Sequence, residues 1–141
     1  MKWLDIPPVW LVVSLVIAYW LPYGLPTLSL FGGAIVFVGI GLMILAVWEM
    51  RRHRTTPIPH MEADALVSSG IFAYSRNPIY LGDVLVLFGL SLRWGALVGL
   101  LLIPILIWVL QSRFIKLEED RLRAKFGDAF EYYCTQTRRW V

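Results

Sequence analysis

The stretch "IPPVWLVVSLVIAYWLPYGLPTLSLFGGAIVFVGIGLMILAVW", residues 6–48, is a run of 43 residues without a charge. About 20 apolar residues carry a helix across the hydrocarbon core of a bilayer, so the run holds two crossings. The "LPYGLP" of residues 21–26 supplies the turn between them, because Pro and Gly interrupt helices. A further charge-free run, residues 94–112, is long enough for one crossing. Residues 77–92 are shorter and contain Asp83. The expectation is an all-α integral membrane protein, one domain over residues 1–141. Its four transmembrane helices are 7–24, 30–50, 78–92 and 95–113, the last two forming a hairpin.

Composition agrees. Hydrophobic residues make up 58% of the 141 and charged ones 16%, against roughly 45–50% and 25% in soluble domains. With these crossings, both chain ends and the 51–77 loop share one side, together with twelve of the thirteen Lys and Arg; Arg93 alone lies opposite. Basic residues stay cytoplasmic, so segments 51–77 and 114–141 are expected on the cytoplasmic face. The net charge of +3 then reads as topology and attraction to anionic headgroups, not as a nucleic-acid footprint. No A-x-A-like site follows the first apolar run, which argues against a cleaved signal peptide. Cys134 is the single cysteine, so no intramolecular disulfide forms. Gly32, Gly33, Gly39 and Gly41 let helix 2 pack closely and offer a face for a homodimer. The "GIG" within it follows no strand and is not a nucleotide loop.

Chemistry concentrates where polar sequence turns apolar. In "SRNPIYLGD", residues 75–83, Pro78 removes a backbone N–H and pushes Asn77 toward an extended conformation. A helix therefore starts at Pro78, with free N–H groups and a positive dipole end suited to a carboxylate or phosphate. Arg76 adds planar donors, and Tyr80 offers a hydroxyl or a ring face. Asp83, an acid within a span, is functional by default. Arg76, Tyr80 and Asp83 are thus the catalytic candidates. A plainer reading of the same residues has Arg76 snorkelling to headgroups and Tyr80 in an aromatic belt.

A second candidate is Glu118-Glu119, just past helix 4. The tail "RFIKLEEDRLRAKFG" continues as a helix, with Glu119 facing Arg123 at i,i+4. Gly127 ends it, and Asp128 caps the next helix with Glu131 in capping-box position. His60, Glu62 and Asp64 alternate, but no second His or Cys pair completes a metal site. His60 serves better as a hydrogen-bonding group for a cofactor.

The two segments "TTPIPHMEADALVSSGIFAYSRNPIYLG" and "EEDRLRAKFGDAFEYY…RRW" resemble the isoprenylcysteine carboxyl methyltransferase and phospholipid methyltransferase superfamily of membrane enzymes, over about residues 56–141. The resemblance implies S-adenosylmethionine as cofactor. Leu66, Val67 and Phe72 would line its pocket, with Gly70 in the same motif. Asn77, Pro78 and Tyr80 would contact it at the helix start, Glu118 and Glu119 from the tail, and His60 and Arg76 nearby. Asn77 stands where prenylcysteine enzymes carry His, a pattern of bacterial and lipid-acting relatives, so a bacterial inner membrane is expected. The substrate-facing Arg of the prenylcysteine enzymes falls at Phe114, leaving its neighbour Arg113 as the substrate candidate. The acceptor implied is a membrane lipid or lipidated molecule. Two alternatives stay open: an NADPH-dependent sterol-reductase-like enzyme, which the Gly82-Asp83 pair echoes, and a non-catalytic membrane adaptor.

Overall fold

The computed structural model describes residues 6–21, 24–57 and 63–141, and every regular element among them is helical. In chain order these are α1 (Pro7–Trp20), α2 (Ser29–Arg52), α3 (Pro78–Trp94), α4 (Leu97–Leu110), α5 (Lys116–Phe126) and α6 (Asp128–Gln136). A 3-10 turn, Gly70–Ala73, lies in the polar segment before α3. A π-helical turn, Gln111–Ile115, joins α4 to α5 in one rod of 30 residues.

Both α2 and this rod are long and apolar enough to cross a membrane. The first helix is shorter than the expected 7–24. Leu21 turns extended, ψ 154°, as the residue before a proline must, while Pro22 and Tyr23 lie outside the described residues. Its 14 residues rise about 21 Å, less than the ~30 Å of a hydrocarbon core. The third helix runs two residues past its expected end, to Trp94.

Glycine brings α2 and α3 together. A Cβ on Gly39 would sit 2.9 Å from the Gly82 carbonyl oxygen, and one on Gly82 2.7 Å from that of Gly39. A turn or two along, a Cβ on Gly89 would meet the Gly32 carbonyl at 2.6 Å. Backbone therefore rests on backbone, and side chains larger than hydrogen cannot enter. Gly32 and Gly39 are committed to this contact inside one chain; Gly41 faces open space.

Outward, Leu30, Phe37, Ile44, Leu101, Ile105 and Trp108 stand largely exposed. An apolar surface this continuous is unfavourable in water and is the expected face of a helix against lipid. Inward, Tyr80, Leu87, Leu106, Leu110 and Phe114 form one buried cluster where α3 meets α4. Ala46, Val67, Phe72, Phe130 and Tyr133 form a second, between α2, the 3-10 turn and α6.

The helices alternate in direction, so the ends sort by chemistry. The start of α1, the end of α2, the start of α3 and the π turn gather at one end. There Arg113 lies 5.7 Å over the Trp10 ring. At the opposite end Tyr19 packs on Trp94, and Leu28 N–H donates to the Leu92 carbonyl at 2.9 Å. Among the described residues, every Lys and Arg except Arg93 belongs to the first end. Arg93 instead ties the end of α3 to the start of α2, donating to the Ser29 carbonyl at 3.1 Å.

Candidate functional site

The polar end holds a cavity of about 700 Å³. Its walls come from four places in the chain. Met50 lies in the last turn of α2, and Thr55, Leu66, Val67, Phe72 and Arg76 belong to the segment before α3. Glu118, Arg121, Leu122 and Lys125 come from α5, and Tyr133 comes from α6. Segments separated by more than forty residues therefore meet at one hollow, lined by apolar side chains together with Arg76 and the charged groups of α5.

Each wall has a local cause. The 3-10 turn starts at Gly70, whose φ of 57° suits glycine. A Cβ there would also lie 2.8 Å from the Glu49 carboxyl carbon. Glu49, 5% exposed, accepts the Ser69 hydroxyl at 2.6 Å, and His53 Nε2 approaches both Ser69 Oγ and Glu49. This cluster pins the segment before α3 to the end of α2. Phe72 is then fixed from behind, because the Tyr133 hydroxyl donates to its carbonyl at 2.6 Å. Burial raises the Tyr133 phenol above its ordinary range, with Arg76 acting in the opposite sense.

The π turn sets the other wall. It inserts one residue into the helix and re-aims the side chains beyond it. Phe114 thereby packs on Tyr80, ring centroids 6.5 Å apart. One turn on, Glu118 Oε1 accepts the Tyr80 hydroxyl at 2.6 Å. That short, charge-assisted bond ties the start of α3 to α5 and fixes one oxygen of a carboxylate at the cavity wall.

The expected site residues divide. Leu66, Val67, Phe72, Arg76 and Glu118 share the cavity, and Tyr80 reaches it through Glu118. Pro78 opens α3 as the Asn-Pro step requires, but it is buried. Asn77 makes no side-chain cap; its amide donates to the Arg139 carbonyl at 2.9 Å. The start of α3 is thus covered by the chain's own tail and does not face the cavity as an open anion site. Gly70 borders Glu49 and not the cavity lining.

Glu119 departs in the same way. It neither lines the cavity nor meets Arg123; it pairs with Arg139 and Arg76. Arg123 turns to Asp120 and Glu131, so Glu131 forms no capping box, and Gly127 in place of Asp128 precedes α6 as its cap. The bonds to Glu119 and to Glu131 raise the Arg139 and Arg123 guanidinium values respectively. Asp83 is 5% exposed and sits one turn below Tyr80, with no hydrogen bond or ion pair among the described residues. Arg113 is exposed, over Trp10 and away from the cavity. His60 lies outside the described residues, and among those no cluster of His, Cys, Asp and Glu suits a metal.

Sequence reasoning missed several wall residues. Arg121 and Lys125 lie on either side of Leu122 in α5 and read as a solvated face. Glu49 had one legible signal, an acid closing a long charge-free run.

The chain matches the family described as phospholipid methyltransferase over residues 27–129. It is also similar to a protein-S-isoprenylcysteine O-methyltransferase of Schizosaccharomyces pombe, 38% identical over 68 residues. That stretch covers 48% of this chain and 29% of the yeast protein, so the chain spans under a third of that relative. No solved structure gives a significant match. The family match takes in most of the chain, including the Phe72 and Arg76 wall and the Tyr80–Glu118 bond, and the protein belongs to the phospholipid methyltransferase family.

Proposed function

We propose that the protein transfers a methyl group from S-adenosylmethionine to a lipophilic acceptor held in the membrane. The acceptor is an isoprenylcysteine-like carboxylate, a phospholipid headgroup amine or a thiol. The observation behind this reading is the convergence of both motifs on one cavity, joined by the Tyr80–Glu118 bond. Its volume of about 700 Å³ lies within the range of small-molecule and cofactor sites. The lining suits the cofactor's parts. Leu66, Val67 and Phe72 offer an apolar bed for an adenine, Glu118 an acceptor for ribose hydroxyls or an ammonium, and Arg121 and Lys125 cations for a carboxylate.

When bound, S-adenosylmethionine supplies an electrophilic methyl on a sulfonium. The protein's part in such a displacement is alignment and exclusion of water. Phe72 and Tyr133 both line the cavity, and aromatic rings attract a cation. A carboxylate or thiolate acceptor needs no base. An amine must first lose a proton, and Glu118, already oriented by Tyr80, is the carboxylate at the cavity wall able to take it.

In this reading α1 and α3 cross beside α2 and α4, and the polar end with its concentrated Lys and Arg faces the cytoplasm, as in a bacterial inner membrane. The lipophilic acceptor arrives from the bilayer and the cofactor from the aqueous side. The test is transfer of radiolabelled methyl from S-adenosylmethionine into organic-extractable acceptors by the purified protein in lipid nanodiscs. Label is expected in at least one of a phosphatidylethanolamine, a prenylcysteine or a lipophilic thiol, and is abolished in Glu118→Ala. Label in none of them, from protein that is folded and binds the cofactor, would refute the proposal.

A further inference from the structure

Glu118 and Glu119 are neighbours in sequence with separate tasks. Glu119 is 8% exposed, and both its oxygens are taken. Arg139 Nε donates to Oε1 at 2.9 Å and Arg139 Nη2 to Oε2 at 2.7 Å. Arg76 Nη2 stands 3.5 Å from Oε1. The Arg139 contact is a fork-on-fork pair, which fixes direction as well as distance.

The residues around Arg139 hold the same region by other bonds. The Thr137 hydroxyl donates to the Ala73 carbonyl at 3.2 Å. The Arg76 N–H donates to the Arg138 carbonyl at 3.0 Å, and the Asn77 amide to that of Arg139 at 2.9 Å. The Trp140 indole reaches Gln111 in the π turn at 3.3 Å and packs on the cluster holding Tyr80 and Phe114. Residues 137–140 therefore form a strap from the segment before α3 to the π turn, with Glu119 as its charged anchor on α5.

We infer that Arg139 is a positioning residue: its fork on Glu119 locks the strap, which holds Arg76 and, one residue along α5, Glu118 at the cavity wall. Arg139 itself does not line the cavity. With the fork removed, the buried carboxylate keeps Arg76 as its remaining cation and draws that guanidinium away from the wall. Against this pull the guanidinium has only the bond that Nη1 donates to Cys134 Sγ, because Arg76 Nε is buried and without a hydrogen-bond partner among the described residues. The nature of the ligand affected rests on the methyltransferase reading; the strap does not.

The experiment uses the full chain in nanodiscs as wild type, Arg139→Gln and Arg139→Lys. Hydrogen exchange of the 73–77 amides reads the strap directly, and steady-state kinetics read the site. The expected result in Arg139→Gln is about tenfold faster exchange at 73–77 and about tenfold higher KM for S-adenosylmethionine, with kcat within about twofold, a coupling of ordinary size between sites. Arg139→Lys, which keeps the charge and loses the fork, falls between, and serves alone if Arg139→Gln does not accumulate. Exchange at 73–77 that is the same in all three proteins overturns the inference, as does a loss of kcat with KM unchanged. Faster exchange in a protein whose wild type binds no adenosyl compound supports the strap and defeats the methyltransferase reading alone.

Discussion

Tyr80→Phe isolates the bond that joins the two motifs. The substitution removes one hydroxyl and keeps the ring, so packing on Phe114 and the 6% exposure of the site change little. The loss is an O–H···O⁻ bond of 2.6 Å. A hydrogen bond to a charged group contributes about 1.5–3 kcal/mol net, equivalent to roughly a 10–150-fold change in an equilibrium. Glu118 keeps other interactions, so the lower end applies, about tenfold weaker cofactor binding. Calorimetric titration of S-adenosylhomocysteine into wild type and variant measures it, with thermal unfolding alongside. Affinity within twofold of wild type, with unchanged unfolding, would show that the bond orients nothing that the ligand uses.

The same geometry sets further outcomes. Gly89→Ala puts a Cβ 2.6 Å from the Gly32 carbonyl and 2.8 Å from Val36, an overpacking expected to cost about 1–3 kcal/mol; thermal unfolding in detergent should show it, with Gly41→Ala, in open space, as a silent control. Glu49→Gln weakens the charged acceptor of Ser69 and should destabilise by about 1–2 kcal/mol, with faster hydrogen exchange across 69–73. Equal exchange there would mean that Glu49 does not pin the segment. Tyr133 carries a sign that can be worked out. Its folded phenol titrates above the ordinary value of about 10, so the unfolded chain ionises first. The stability it contributes is complete below about pH 10 and lost as the pH rises toward the folded value. Tyr133→Phe should therefore flatten the fall of melting temperature between about pH 9 and pH 11; a fall as steep as wild type would contradict the burial argument.

How much was legible in the sequence depended on the range of the interaction. Helix starts and stops are local, so the Asn-Pro step placed the beginning of α3 and the apolar runs placed α2 and α4. The motif residues Leu66, Val67, Phe72, Arg76 and Glu118 do share a wall. Pairing across the chain was not legible. Glu119 has Arg123 at helical spacing, yet a residue twenty positions on, Arg139, takes it bidentately, because the tail folds back across the helix starts. The same strap covers Asn77 and Pro78, which by spacing alone read as an open anion site. The glycines of α2 pointed to close packing without naming the partner, and the partner is α3 in the same chain. Nothing in the local pattern of Gln111–Ile115 announces a π turn, whose extra residue decides which carboxylate meets Tyr80.

The central claim is that the cavity between the segment before α3 and α5 holds an adenosyl sulfonium cofactor. The most direct measurement is calorimetric titration of S-adenosylmethionine, S-adenosylhomocysteine and NADPH into the purified protein and into Glu118→Ala. The predicted result is saturable binding of both adenosyl compounds by the wild type, its loss in the variant, and no heat from NADPH. Binding of NADPH alone, or adenosyl binding untouched by Glu118→Ala, would contradict the claim.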